Sequence, residues 1–65
     1  MELEVGRSYL VRRKEHNFGG TIEECTLIKE SSSCYKFEYS DYGNTTVKWI
    51  PKLDFEEDYK IIEIL

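Results

Sequence analysis

The sequence predicts a small all-β domain: a five-stranded antiparallel barrel with one short helical turn before its last strand. Three observations predict it. Apolar side chains recur with a period of two in several short runs, turn-forming residues separate those runs, and 65 residues leave room for a single core. A chain of this length buries only roughly 60% of the surface its unfolded form exposes, so neither a second domain nor a deep pocket is expected. At 40% hydrophobic and 14% aromatic residues with a single proline, the composition is too apolar for a disordered segment.

Gly6 to Arg13 reads as the first strand, with Tyr9 and Val11 on one face and Ser8, Leu10 and Arg12 on the other. Asn17-Phe18-Gly19-Gly20 turns the chain into a second run, Thr21 to Lys29, which carries Ile22, Cys25 and Leu27. The change of phase across Glu23-Glu24 predicts a bulge or a sharp bend there, of the kind a small barrel needs to close. Ser31-Ser32-Ser33 is a polar loop. Beyond it Tyr35, Phe37 and Tyr39 alternate with Cys34, Lys36 and Glu38, the clearest period-two pattern in the chain, which places Phe37 in the core.

Gly43 and Asn44 reach positive φ at low cost, so they reverse the chain between the third and fourth strands as a hairpin. In the fourth strand Val47 and Trp49 alternate with Thr46, Lys48 and Ile50. Trp49 is read as core packing in preference to an outer-face anchor beside Lys48. Pro51 cannot donate to a ladder and ends that strand. Lys52 to Phe55 then fits a single 3-10 turn that lays Leu53 or Phe55 over the barrel end. Glu56-Glu57-Asp58 is a solvated corner, and the isoleucine-rich Tyr59 to Leu65 closes the sheet as a fifth strand. This order describes a small barrel of the SH3-like type. An oligonucleotide-binding barrel needs longer strands and an additional helix, for which the chain has no room.

Thirteen acidic against nine basic side chains give a net charge of −4, which repels phosphate backbones and favours a basic protein or peptide partner over nucleic acid. Arg12-Arg13-Lys14, followed by His16, is a local basic knot and a candidate anion site. The N-terminus lacks a basic region followed by an apolar stretch, and no run approaches the roughly 18 apolar residues of a membrane span. A cytoplasmic protein is therefore expected, with a nuclear location open and no membrane association. Cys25 and Cys34, in no Cys-x-x-Cys pair and with one histidine, make no zinc site. Strand parity places them on opposite sheet faces, so they are expected to be free thiols. No nucleophile, base and orienting group come together around His16, so neither enzymatic activity nor a cofactor is expected. Asn44-Thr45-Thr46 matches a glycosylation acceptor pattern but is accounted for by the turn.

Tyr39-Ser40-Asp41-Tyr42-Gly43-Asn44, followed by Val47 and Leu53, resembles the central motif of Tudor domains. The resemblance is confined to Tyr39–Leu53. It implies a five-stranded SH3-like barrel with an aromatic cage for methylated arginine or lysine, in which Tyr39 and Tyr42 are two walls and Asn44 hydrogen-bonds the cation. Physics agrees with that assignment, because a methylated cation keeps its charge, loses hydration and is drawn to aromatic faces. Asp41 would add to the attraction. The two cage aromatics that the family takes from the first hairpin have no clear match here, and Phe18 or Tyr9 is the candidate for a third wall. The function so implied is a non-enzymatic protein-interaction module for a cationic or arginine-rich peptide, methylated or not. The alternative expectation, from a chain that begins at methionine and carries no tails, is a stand-alone bacterial or viral regulatory or inhibitory protein. Its acidic surface, Asp54, Glu56, Glu57 and Asp58 with Glu23 and Glu24, would dock on a nucleic-acid-binding protein.

Overall fold

The structure, a computed structural model, describes residues 3–14, 22–41 and 43–65, and at Asp41 the backbone alone. Its elements are β1 (Ser8–Arg13), β2 (Ile22–Glu30), β3 (Cys34–Asp41), β4 (Asn44–Pro51), α1 (Lys52–Asp58) and β5 (Tyr59–Ile64). The strands form one five-stranded antiparallel sheet in the order β4-β3-β2-β1-β5. The first four strands make a meander, and α1 carries the chain back so that β5 lies beside β1. With a radius of gyration of 11.3 Å the result is compact, a small all-β, barrel-like fold with one short helix.

Strand parity decides the core. Tyr9 and Val11 of β1, Cys25 and Leu27 of β2, and Tyr35, Phe37 and Tyr39 of β3 are all buried on one face. Tyr9 pairs with Cys25 and Cys25 with Tyr39, so these three form a row across the centre of the sheet. On the opposite face the same register puts Ser8 beside Thr26, and their hydroxyls share a 2.7 Å hydrogen bond. Cys34, also even-numbered in β3, falls on that outer side, and both cysteines are free as parity implied.

Several elements differ from expectation. The β2 ladder is regular through Glu23-Glu24, and the register shift lies between Leu27 and Lys29 instead. Ile22, which suggested a change of phase, simply points outward and is exposed. The turn after β3 is tighter than a Gly43-Asn44 loop: Asp41 pairs with Asn44, so only positions 42 and 43 lie between the strands. Gly43 takes φ 81°, a left-handed conformation that glycine adopts without steric cost, whereas Asn44 already belongs to β4.

The predicted 3-10 turn is a seven-residue α-helix that takes in Glu56-Glu57-Asp58. Those carboxylates belong to good helix formers or sit where the chain has no breaker, so the turn continues until Tyr59. Pro51, at φ −56° and ψ 140°, sets the entry, and the Lys52 N–H is satisfied by the Ser33 carbonyl at 2.8 Å. Of the two candidate lids Phe55 is used, at 5% exposure, while Leu53 is 72% exposed. Phe55 stacks on Phe37 at 4.9 Å and on Tyr59 at 5.2 Å, and meets Tyr35 edge-on at 5.7 Å. Trp49 is not core. It lies on the outer face at 49% exposure, because an antiparallel pair joined by a two-residue loop sets odd residues of β3 opposite even residues of β4.

Candidate functional site

Tyr39 is part of the core, 6% exposed, with Phe37 6.2 Å away and the Lys48 ammonium 5.3 Å from its ring centroid. Burial raises its phenol pKa well above the usual value, and the neighbouring Cys25 thiol and Tyr59 hydroxyl add to the effect. Among the described residues its Oη is the buried side-chain polar atom with no hydrogen-bond partner. Tyr9 is equally enclosed, and its Oη accepts a 2.9 Å bond from the Glu4 N–H. The structure brings Tyr9 and Tyr39 together, on either side of Cys25, but inside the core and not at its rim. Asn44 is exposed at the start of β4. Tyr42, Phe18 and the side chain of Asp41 lie outside the described residues, as does His16.

Cations sit over aromatic rings elsewhere as well. Lys36 lies 5.5 Å from the Trp49 centroid, Lys52 5.2 Å from Tyr35, and Arg13 5.3 Å from Tyr59. Two of these pairs serve the fold. Arg13 also donates a 2.7 Å bond to the Tyr59 hydroxyl, and Lys52 is anchored to Glu30 at 2.6 Å, a contact that raises the lysine pKa. The basic knot is drawn into the same work, since the Lys14 N–H bonds the Asp58 carbonyl at 2.6 Å and its ammonium reaches the Glu56 carbonyl at 3.4 Å.

The Lys36–Trp49 pair differs because its ring is half open. Lys36 opposes Trp49 and Glu38 opposes Val47, so these four side chains make one cluster on the outer face of β3 and β4. Val47 is exposed as well. The cluster thus sets an exposed indole beside an aliphatic side chain, a carboxylate and a lysine ammonium, and the indole face is of the kind that attracts cations. Sequence reading missed this cluster. The signal that finds it is the hairpin register, which follows from the two-residue turn.

The acidic residues divide. Asp54, Glu56, Glu57 and Asp58 are exposed on α1, but Glu23 and Glu24 are consecutive on β2 and point to opposite faces, so they do not join one patch. Cys25 is buried, and desolvation, then Glu23 and Glu24, push its thiol up to about 12. Among the described residues no group of three or more metal-ligating side chains is placed to hold a metal, and no helix is long and apolar enough to cross a membrane.

No protein-family model, curated protein or solved structure matches the chain.

Proposed function

We propose that this chain is a non-enzymatic protein-interaction module that holds a cationic, arginine-rich segment of a protein partner, methylated or unmethylated. The observation that carries the reading is Trp49, a half-exposed indole whose resident cation is the Lys36 ammonium 5.5 Å from its centroid. A guanidinium or methylated cation is less strongly hydrated than a lysine ammonium, so it competes favourably for an aromatic face. Glu38 and the net charge of −4 favour the exchange. Each cation–aromatic contact contributes roughly 0.5–2 kcal/mol, so several arginines acting together are needed for useful affinity.

The resemblance to Tudor domains supports the same class of ligand. The ring differs: a guest at Tyr39 has to displace Lys48 and reach a side chain that packs on Phe37, whereas Trp49 is reached without disturbing the core. Free Cys25 and Cys34 support a cytoplasmic setting. The test is an NMR titration with arginine-rich peptides in methylated and unmethylated forms. Shifts at the Trp49 indole N–H, Val47 and Glu38 are expected. No shift at millimolar peptide defeats the reading, and shifts confined to Tyr39 and Asn44 move the site to the turn.

A second reading rests on α1, where Asp54, Glu56, Glu57 and Asp58 are all exposed and no basic residue occupies the last turn. It is a regulatory protein that docks this helix on a basic, nucleic-acid-binding partner. Binding that survives Trp49→Ala but is lost in a Glu56→Lys, Glu57→Lys variant favours it.

A further inference from the structure

We infer that the free edge of β5 pairs with β5 of a second copy of this chain, antiparallel, in the register that sets Lys60 opposite Glu63. Among the described residues no strand lies beyond β5, which is an edge of the sheet. Edges of this kind carry unpaired backbone donors and acceptors and template the addition of a strand. Apolar side chains crowd this one, with Ile62, Ile64 (57% exposed) and Leu65 all open to solvent.

The register follows from backbone and charge together. Between β1 and β5 the pairing steps from Val11 opposite Ile61 to Leu10 opposite Glu63, so Ile62 is an inserted residue. The insertion puts Lys60, opposite Arg12, and Glu63, opposite Leu10, on the same outer face, although three positions apart they would otherwise face opposite ways. Backbone bonds at either end, Lys14 N–H to the Asp58 carbonyl at 2.6 Å and Leu65 N–H to the Ser8 carbonyl at 2.9 Å, fix which residues face β1. By the alternation of an antiparallel ladder, Tyr59, Ile61 and Ile64 direct their backbone groups outward.

A two-fold axis midway between Ile61 and Ile62 therefore satisfies three conditions at once. Tyr59 and Ile64 of the second copy, both outward-facing, form a hydrogen-bonded pair. Lys60 and Glu63 of the second copy, both inward-facing, form the closer non-hydrogen-bonded pair, twice over. The Ile64 side chain of one copy comes beside the Tyr59 of the other, at a groove of about 680 Å³ whose lining combines Tyr35, Phe55, Tyr59 and Ile61 with the charged Lys14 and Glu56. The partner's Glu63 also answers a mismatch within the monomer, where Lys60 is directly opposite Arg12.

The test is analytical ultracentrifugation of the full chain from micromolar to millimolar concentration. Wild type is expected to form dimers. Lys60→Glu and Glu63→Lys each confront like charges at two places and weaken dimerisation about tenfold or more. The double reversal Lys60→Glu, Glu63→Lys is expected to restore it to within about threefold, since both pairs re-form with their signs exchanged. Both residues are exposed, and Lys60→Glu places a carboxylate beside Arg12, so the monomer fold is retained. A chain that stays monomeric at millimolar concentration overturns the inference. So does a dimer indifferent to the single reversals or not rescued by the double one.

Discussion

Replacing Phe55 by alanine is expected to unfold most of the protein at 25 °C. The ring is the hub of the aromatic core, stacked on Phe37 (4.9 Å, 24°) and Tyr59 (5.2 Å, 15°) and edge-on to Tyr35 (5.7 Å, 77°). A buried Phe→Ala change costs about 3–5 kcal/mol in transfer and cavity terms, and each lost aromatic pair adds up to about 1 kcal/mol more. A 65-residue domain has a total stability of about 3–10 kcal/mol, so the loss is comparable to the whole. Phe55→Leu keeps most of the volume and is expected to cost about half as much. Leu53→Ala on the same helix is the control, since Leu53 is 72% exposed and the change should stay within about 0.5 kcal/mol. Urea unfolding followed by far-UV circular dichroism measures all three. An alanine variant within about 1 kcal/mol of wild type would refute the role of α1 as the lid of the core.

Gly43→Ala is expected to destabilise by about 1–2 kcal/mol through its φ of 81° alone, because an added Cβ meets nothing within 4 Å; Gly43→Asn should cost less. With a thiol reagent at pH 8, Cys34 is expected to react and Cys25 to stay protected until the chain unfolds, which mass spectrometry resolves. The buried Cys25 thiol, raised from 9.0 to about 12, holds its proton more tightly in the folded state. Its contribution is therefore intact below pH 9 and lost as pH rises towards 12, at a slope of up to about 1.4 kcal/mol per pH unit, in the same direction as Tyr39. Chemical denaturation in steps from pH 8 upward checks this, and Cys25→Ala should flatten the first part of the fall. Trp49→Ala is expected to cost about 1–2 kcal/mol of stability, through the lost Lys36 contact and the covered half of the indole, while abolishing peptide binding.

Much of the fold was legible because burial on a half-covered sheet imposes a period of two. Tyr35, Phe37 and Tyr39 state that period without interruption, and Tyr9 and Val11 repeat it. The outward position of Trp49 was also legible in principle, since any two-residue loop between β3 and β4 reverses the parity across the pair. Alternation of Val47 and Trp49 alone shows two faces and not which one is covered. The register shift after Leu27 left no mark, because Ile28 continues an apolar run that a bulge interrupts only in its backbone. The site was the least readable part. The motif Tyr39 to Asn44 names aromatic residues, but whether a ring is a wall or a core depends on what covers it. For Tyr39 that cover includes Lys48 on the neighbouring strand and Tyr59 beyond α1.

The claim that Trp49 exchanges its resident lysine for a guest cation is tested most directly by removing the lysine. Binding of an arginine-rich peptide, followed through the fluorescence of the single tryptophan, is compared among wild type, Lys36→Met and Lys29→Met. Lys29 is the neighbour of Lys36 across β2 and β3, so its loss changes the local charge equally without freeing the indole. Lys36→Met is predicted to bind about two- to fivefold more tightly than Lys29→Met, the equivalent of about 0.5–1 kcal/mol released from competition. Equal affinities in the two variants, or weaker binding by Lys36→Met, would contradict the account.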